Sequence, residues 1–126
     1  MLKPGQNVAV VMWLGANSTH PAKAIRLWAM LLEYLHSNTG QIMLDHDQIA
    51  KNIDLTSEYV SDIMSDLVKL KVIFTEYQHL NGVQEPGRAV YFMNKHVAEV
   101  GSGATEKELK LIPKPNFTPK VIKGVP

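Results

Sequence analysis

The 126-residue sequence predicts an α+β domain: a three-helix core and a two-stranded hairpin, with a strand before it and an extended arm after it. Three observations lead there. Apolar residues recur at helical spacing in successive stretches between Pro21 and Leu70. Two β-type runs flank a turn-rich segment beyond Ile73. The composition then changes sharply after Gly101-Ser-Gly103, where prolines and lysines take over. A chain of this length can build one domain with extensions around one modest core.

Val8-Ala-Val-Val-Met-Trp-Leu14 shows no alternation and is rich in β-branched residues, which predicts a strand buried on both faces within an extension over residues 1–20. Thr19 or His20 can cap a helix that begins at Pro21, where the missing N–H of proline leaves no bond unmade. Ile25, Trp28, Leu31, Leu32 and Leu35 form its stripe to about His36, and Leu27 and Met30 widen it. Asn38-Thr39-Gly40 reads as the helix stop, and Gln41–Leu44 as a short extended link. A second helical pattern spans Asp45–Ile53. Asp54-Leu55 is a turn, and a third helix covers Ser57–Leu70. Phe74–Leu80 and Ala89–Met93 read as strands around the loop Asn81–Arg88, with Gly82, Pro86 and Gly87 as turn formers.

Residues 21–100 therefore make the domain, and residues 101–126 a Pro/Lys-rich arm. In that arm Thr105-Glu-Lys-Glu108 has capping-box spacing and can start a short helix to about Ile112. Pro113, Pro115, Pro119 and Pro126 keep the remainder extended, so the arm is expected to be ordered only against a neighbour or a ligand.

Composition narrows the function classes. The sequence has no cysteine, which excludes disulfides, thiolate metal sites and cysteine nucleophiles. The N-terminus lacks the apolar segment of a signal peptide, and the longest apolar run is far shorter than the roughly 20 residues that span a bilayer. A cytoplasmic protein is the expectation. Residues 1–100 carry eight Lys/Arg against ten Asp/Glu, a net −2, whereas residues 101–126 carry five Lys against two Glu, a net +3. Any nucleic-acid contact must therefore be local.

The stretch from Gln48 to Ile73 carries the function. Ile49 and Ile53 face inward from its first helix, Ala50 is small where the second helix passes close, Leu55 plugs the turn, and Val60 and Ile63 seat the second helix. Asp54 stands where glycine is common in such a turn. This helix-turn-helix, followed by Leu67-Val-Lys-Leu-Lys-Val-Ile73 and a hairpin, resembles the winged helix-turn-helix domains of bacterial regulators. Its order, with Tyr59-Val60-Ser61 in the second helix and Tyr91-Phe-Met-Asn94 closing the hairpin, is similar to plasmid replication proteins of the RepL type. The resemblance covers about 70 of the 126 residues. It implies a homodimer on double-stranded DNA, with the helix 57–70 in the major groove and the wing 81–88 on the backbone, in transcriptional or replication control.

On that reading the DNA-binding residues are Lys51, Thr56, Ser57, Glu58, Tyr59, Ser61, Asp62, Ser65, Lys69 and Arg88. Serines, Tyr59 and an acidic side chain would read bases, and Lys51, Lys69, Lys71, Arg88 and the basic arm would meet phosphates. The alternative is a protein-interaction module. Glu58, Asp62 and Asp66 form an acidic stripe, and residues 41–73 carry three Lys against six Asp/Glu, so this face can instead dock a basic partner. His46 between Asp45 and Asp47 resembles half a metal site, but acids at a helix start are explained by capping and the helix dipole. No metal, cofactor or enzymatic activity is expected. Gly101-Ser-Gly103 reads as a hinge, and Trp13 and Trp28 as core.

Overall fold

The computed structural model describes residues 4–36, 39–44, 46–80, 83–98 and 105–119, with the side chains of residues 4, 76–80 and 83–89 excepted. Within them the chain is α+β, running α1 (Pro4–Asn17), α2 (Pro21–Glu33), β1 (Gln41–Ile42), α3 (His46–Ile53), α4 (Ser57–Lys69), β2 (Ile73–Leu80), β3 (Val83–Met93) and α5 (Glu106–Leu111). The strands form an antiparallel sheet in the order β1-β3-β2.

The N-terminal segment corrects the expected strand: it is a helix of 14 residues. Val10, Trp13 and Leu14 turn inward and are buried, while Val8 and Met12 stay exposed. An unbroken apolar run has no period of its own, so its length and surroundings decide between helix and strand. Gly5-Gln6-Asn7 extend the run to full helical length, and α2 supplies the surface against which it packs. The indole Nε1 of Trp28 in α2 donates to Asn7 Oδ1 in α1 at 2.8 Å. Through Val10, Trp13 and Leu14, α1 therefore belongs to the same core as the rest.

Helix α2 starts as expected, with Pro21 in its first turn, but its N-cap residue His20 makes no side-chain capping bond. It ends at Glu33, short of His36. Leu35 instead bridges Ile42, and His36 N donates to Gln41 O at 2.8 Å. Gly40 thus serves a tight return rather than a helix end. Its φ of 74° is a left-handed value that glycine adopts freely, and its carbonyl accepts Met93 N at 2.9 Å.

Helices α3 and α4 fill the core as their spacing predicts. Ile49 and Ile53 enter from α3, and Val60, Ile63, Met64 and Leu67 from α4, with Ala50 and Leu55 packed at the margin. The intervening turn needs a left-handed residue, and Asp54 supplies it at φ 53°. Lys23 Nζ on α2 donates to the Asp54 carbonyl at 2.6 Å and ties the turn down. Asp45 lies outside the described residues.

The hairpin is longer than the sequence suggests. Its strands run to Leu80 and from Val83, so Pro86 and Gly87 belong to β3 and not to an eight-residue loop. The register passes from Tyr77↔Ala89 to His79↔Gln84, so Glu85–Arg88 occupy an irregularity in β3. A bulge tolerates proline because the residues within it make no ladder bond. Asn81 and Gly82 lie outside the described residues, as does the hinge 101–103.

The arm provides the second correction. Thr105 caps α5 as its spacing predicts, its Oγ1 accepting Glu108 N at 3.1 Å. The segment to Pro119 then packs on its own chain, with Phe117 against the core. No helix among the described residues is long and apolar enough to cross a membrane.

Helix α4 ends in a Schellman turn, in which Val72 N donates to Leu67 O and Lys71 N to Val68 O, both at 3.0 Å. This places Lys71 at φ 62°. The left-handed conformation costs a side-chain-bearing residue more than glycine loses in chain entropy. Lys71→Gly should therefore raise unfolding stability by about 0.5–1 kcal/mol, read from the urea midpoint at unchanged m-value.

Candidate nucleic-acid interface

Helix α4 presents one face to the core and the opposite face outward, because Val60, Ile63, Met64 and Leu67 recur at helical spacing. The residues between them, Ser57, Glu58, Ser61, Asp62, Ser65 and Lys69, are all exposed. Thr56 caps the helix: its Oγ1 accepts Tyr59 N at 3.4 Å. The Thr56 hydroxyl therefore supports the helix start as well as lying at its exposed tip.

Tyr59 is not a free probe. It is 39% exposed, but its ring lies 4.3 Å from that of His20, at 60°, in the loop between α1 and α2. One flank of the ring is packed and the other faces outward. Lys51 sits exposed in the last turn of α3. The backbone of Arg88 lies in the irregular part of β3, and its side chain is outside the described residues. The fold thus gathers the residues from Thr56 to Lys69 on one helix, with Lys51 on the preceding one.

The half-site suggested by His46 has another explanation. His46 Nε2 and the buried Tyr91 hydroxyl are 2.7 Å apart, which pins the start of α3 to β3. Among the described residues, no group of three or more His, Asp or Glu side chains is placed to hold a metal ion.

What sequence reasoning missed is the company α4 keeps. A cleft of about 520 Å³ lies beside it. Asp62, Ser65, Asp66 and Lys69 line it from α4, Trp13 from α1, and Asn116, Thr118 and Pro119 from the arm. The arm is held there by its main chain. Asn116 N donates to Leu70 O at 2.8 Å, and Trp13 Nε1 donates to Thr118 O at 2.9 Å. The available signals were Phe117, an aromatic in an otherwise polar segment, and the indole N–H of Trp13, which needs a partner once buried.

Asn94 and His96 anchor the earlier part of the arm. Asn94 is 0% exposed, and its Nδ2 donates to Lys71 O at 2.7 Å and to Pro113 O at 2.9 Å. Its Oδ1 accepts His96 N at 2.8 Å. His96 Nε2 lies 2.9 Å from Leu109 O and 3.0 Å from Ile112 O, so the N–H sits on Nε2.

Asn94→Ala would remove a buried amide and its bonds to the Lys71 and Pro113 carbonyls and the His96 N–H. It should lower unfolding stability by about 2–4 kcal/mol, measured by urea denaturation.

No family model matches this chain, and neither any curated protein nor any solved structure does.

Proposed function

We propose that this protein is a winged helix-turn-helix regulator that binds double-stranded DNA sequence-specifically, in transcriptional or plasmid replication control in the cytoplasm. The observation that carries the reading is the placement of α4. It follows α3 through a left-handed turn, buries one face, and leaves a row of small polar side chains exposed. Serine hydroxyls and the carboxylates of Glu58 and Asp62 are of a size to meet base edges, an acid accepting from the cytosine amino group. The β2–β3 hairpin supports the same reading, because a long two-stranded projection is the shape of a wing. Lys51, Lys69, Arg88 and the lysines of the arm are the groups available to phosphates. The reading assigns no cofactor and no catalytic step.

A homodimer belongs to this proposal, since two copies of α4 would occupy successive major grooves about 34 Å apart. Helix α1 offers a surface for it that leaves α4 and the hairpin free. It carries no charged residue, and Val8 and Met12 are 54% and 69% exposed one helical turn apart. Met12→Glu should convert a dimer to monomer in sedimentation equilibrium.

The second reading, docking of a basic protein, rests on the acidic stripe of Glu58, Asp62 and Asp66. Salt-titrated binding to random duplex DNA separates the two. Lys69→Ala should reduce the salt slope by about 1. Asp62→Arg should tighten binding about tenfold while lowering specificity, because it exchanges repulsion of phosphate for attraction. Absence of binding at low salt removes DNA as the partner.

A further inference from the structure

We propose that residues 105–119 form a detachable strap beside α4, and that the outward face of α4 is fully open only when the strap leaves. This rests in part on the DNA reading, because DNA is the occupant it would gate.

The geometry of the cleft sets the constraint. Asp62, Ser65 and Lys69 stand on one wall, and Asn116, Thr118 and Pro119 on the other. An α-helix with its side chains is about 10–12 Å across and already fills a major groove about 12 Å wide. A second segment alongside the C-terminal half of α4 has no room in that groove. The exposed start of the helix, Ser57, Glu58 and Ser61, is clear of the cleft, whereas Ser65 and Lys69 are not.

The strap is built to come away as a unit. It is fastened by its own main chain: Leu109, Ile112, Pro113 and Thr118 offer carbonyls, and Asn116 its N–H. Helix α5 buries no residue, and Leu111 is 80% exposed. The ion pair of Lys95 with Glu108, at 3.6 Å, is exposed and adds little. Apart from Phe117, which packs against the core, the strap is held through hydrogen bonds of its main chain, and a segment so fastened opens locally, well below the cost of global unfolding.

The test uses the full chain. It lacks cysteine, so Leu70→Cys places a single thiol under the strap, at a cleft-lining residue that is 4% exposed and whose carbonyl accepts Asn116 N. Labelling by a bulky maleimide is compared with and without Trp13→Phe and His96→Ala, which delete two fastenings and spare the backbone. Thermal unfolding checks that each chain is folded, and Trp13→Phe alone serves if the combination does not fold. Labelling should accelerate about tenfold in the combined variant and about threefold in Trp13→Phe alone. Duplex DNA titrations then compare chains that retain Leu70, and the weakened chain should bind about tenfold more tightly. Unchanged labelling overturns the strap whatever the DNA result. Faster labelling with measurable but unchanged DNA affinity overturns the gating. Faster labelling with no DNA binding by any chain upholds the strap and overturns the DNA reading.

Discussion

The side-chain amide of Asn94 joins the parts of this molecule. The residue follows the last strand, and its backbone N–H donates to Val72 O at 3.0 Å, so the end of the hairpin is held to the end of α4. Its Nδ2 reaches both the Lys71 carbonyl and the Pro113 carbonyl, which couples the α4 terminus to the arm. A buried amide in this position must find partners, because each unmet group would carry its full desolvation cost. That requirement determines where the hairpin, the Schellman turn of α4 and the arm lie relative to one another.

The consequence reaches the surface of α4. Its inner face is apolar and its outer face small and polar, but its flank is shared with Trp13 and the arm. What holds the arm at that flank is its main chain, through Asn116 N on Leu70 O and Thr118 O on the Trp13 indole. Tyr59, held against His20, adds a rigid element at the start of the helix, with two χ angles already restricted. The face of α4 therefore joins a fixed group near its start, Tyr59 against His20, to a flank near Lys69 that lines the cleft with the arm.

Much of the fold was legible in the residues. The α2–α3–α4 series, the cap at Thr56, the left-handed role of Asp54 and the cap at Thr105 all follow from patterns within a few residues of one another. The errors occurred where local pattern is silent. Val8–Leu14 is apolar without period, and only the fit of Val10, Trp13 and Leu14 against α2 makes it a helix. Pro86 and Gly87 carry turn chemistry, yet a bulge can hold them within β3 as readily as a loop can. Of the site, the row from Thr56 to Lys69 was readable because helical spacing alone sets which residues face outward. The cleft and the arm beside it were not.

The sequence by itself determined the helical core, the hairpin and the polarity of α4, since these depend on periodicity and on caps that act over one turn. The tertiary structure alone decided that the first segment is a helix, that Gly40 accepts from the last strand, and that the arm lies along α4. Each of those outcomes depends on partners distant in the chain, such as Trp13 with Thr118 and Asn94 with Pro113, whose pairing no local rule specifies. Burial leaves those donors no water to turn to, and only the closed fold shows which carbonyl they meet.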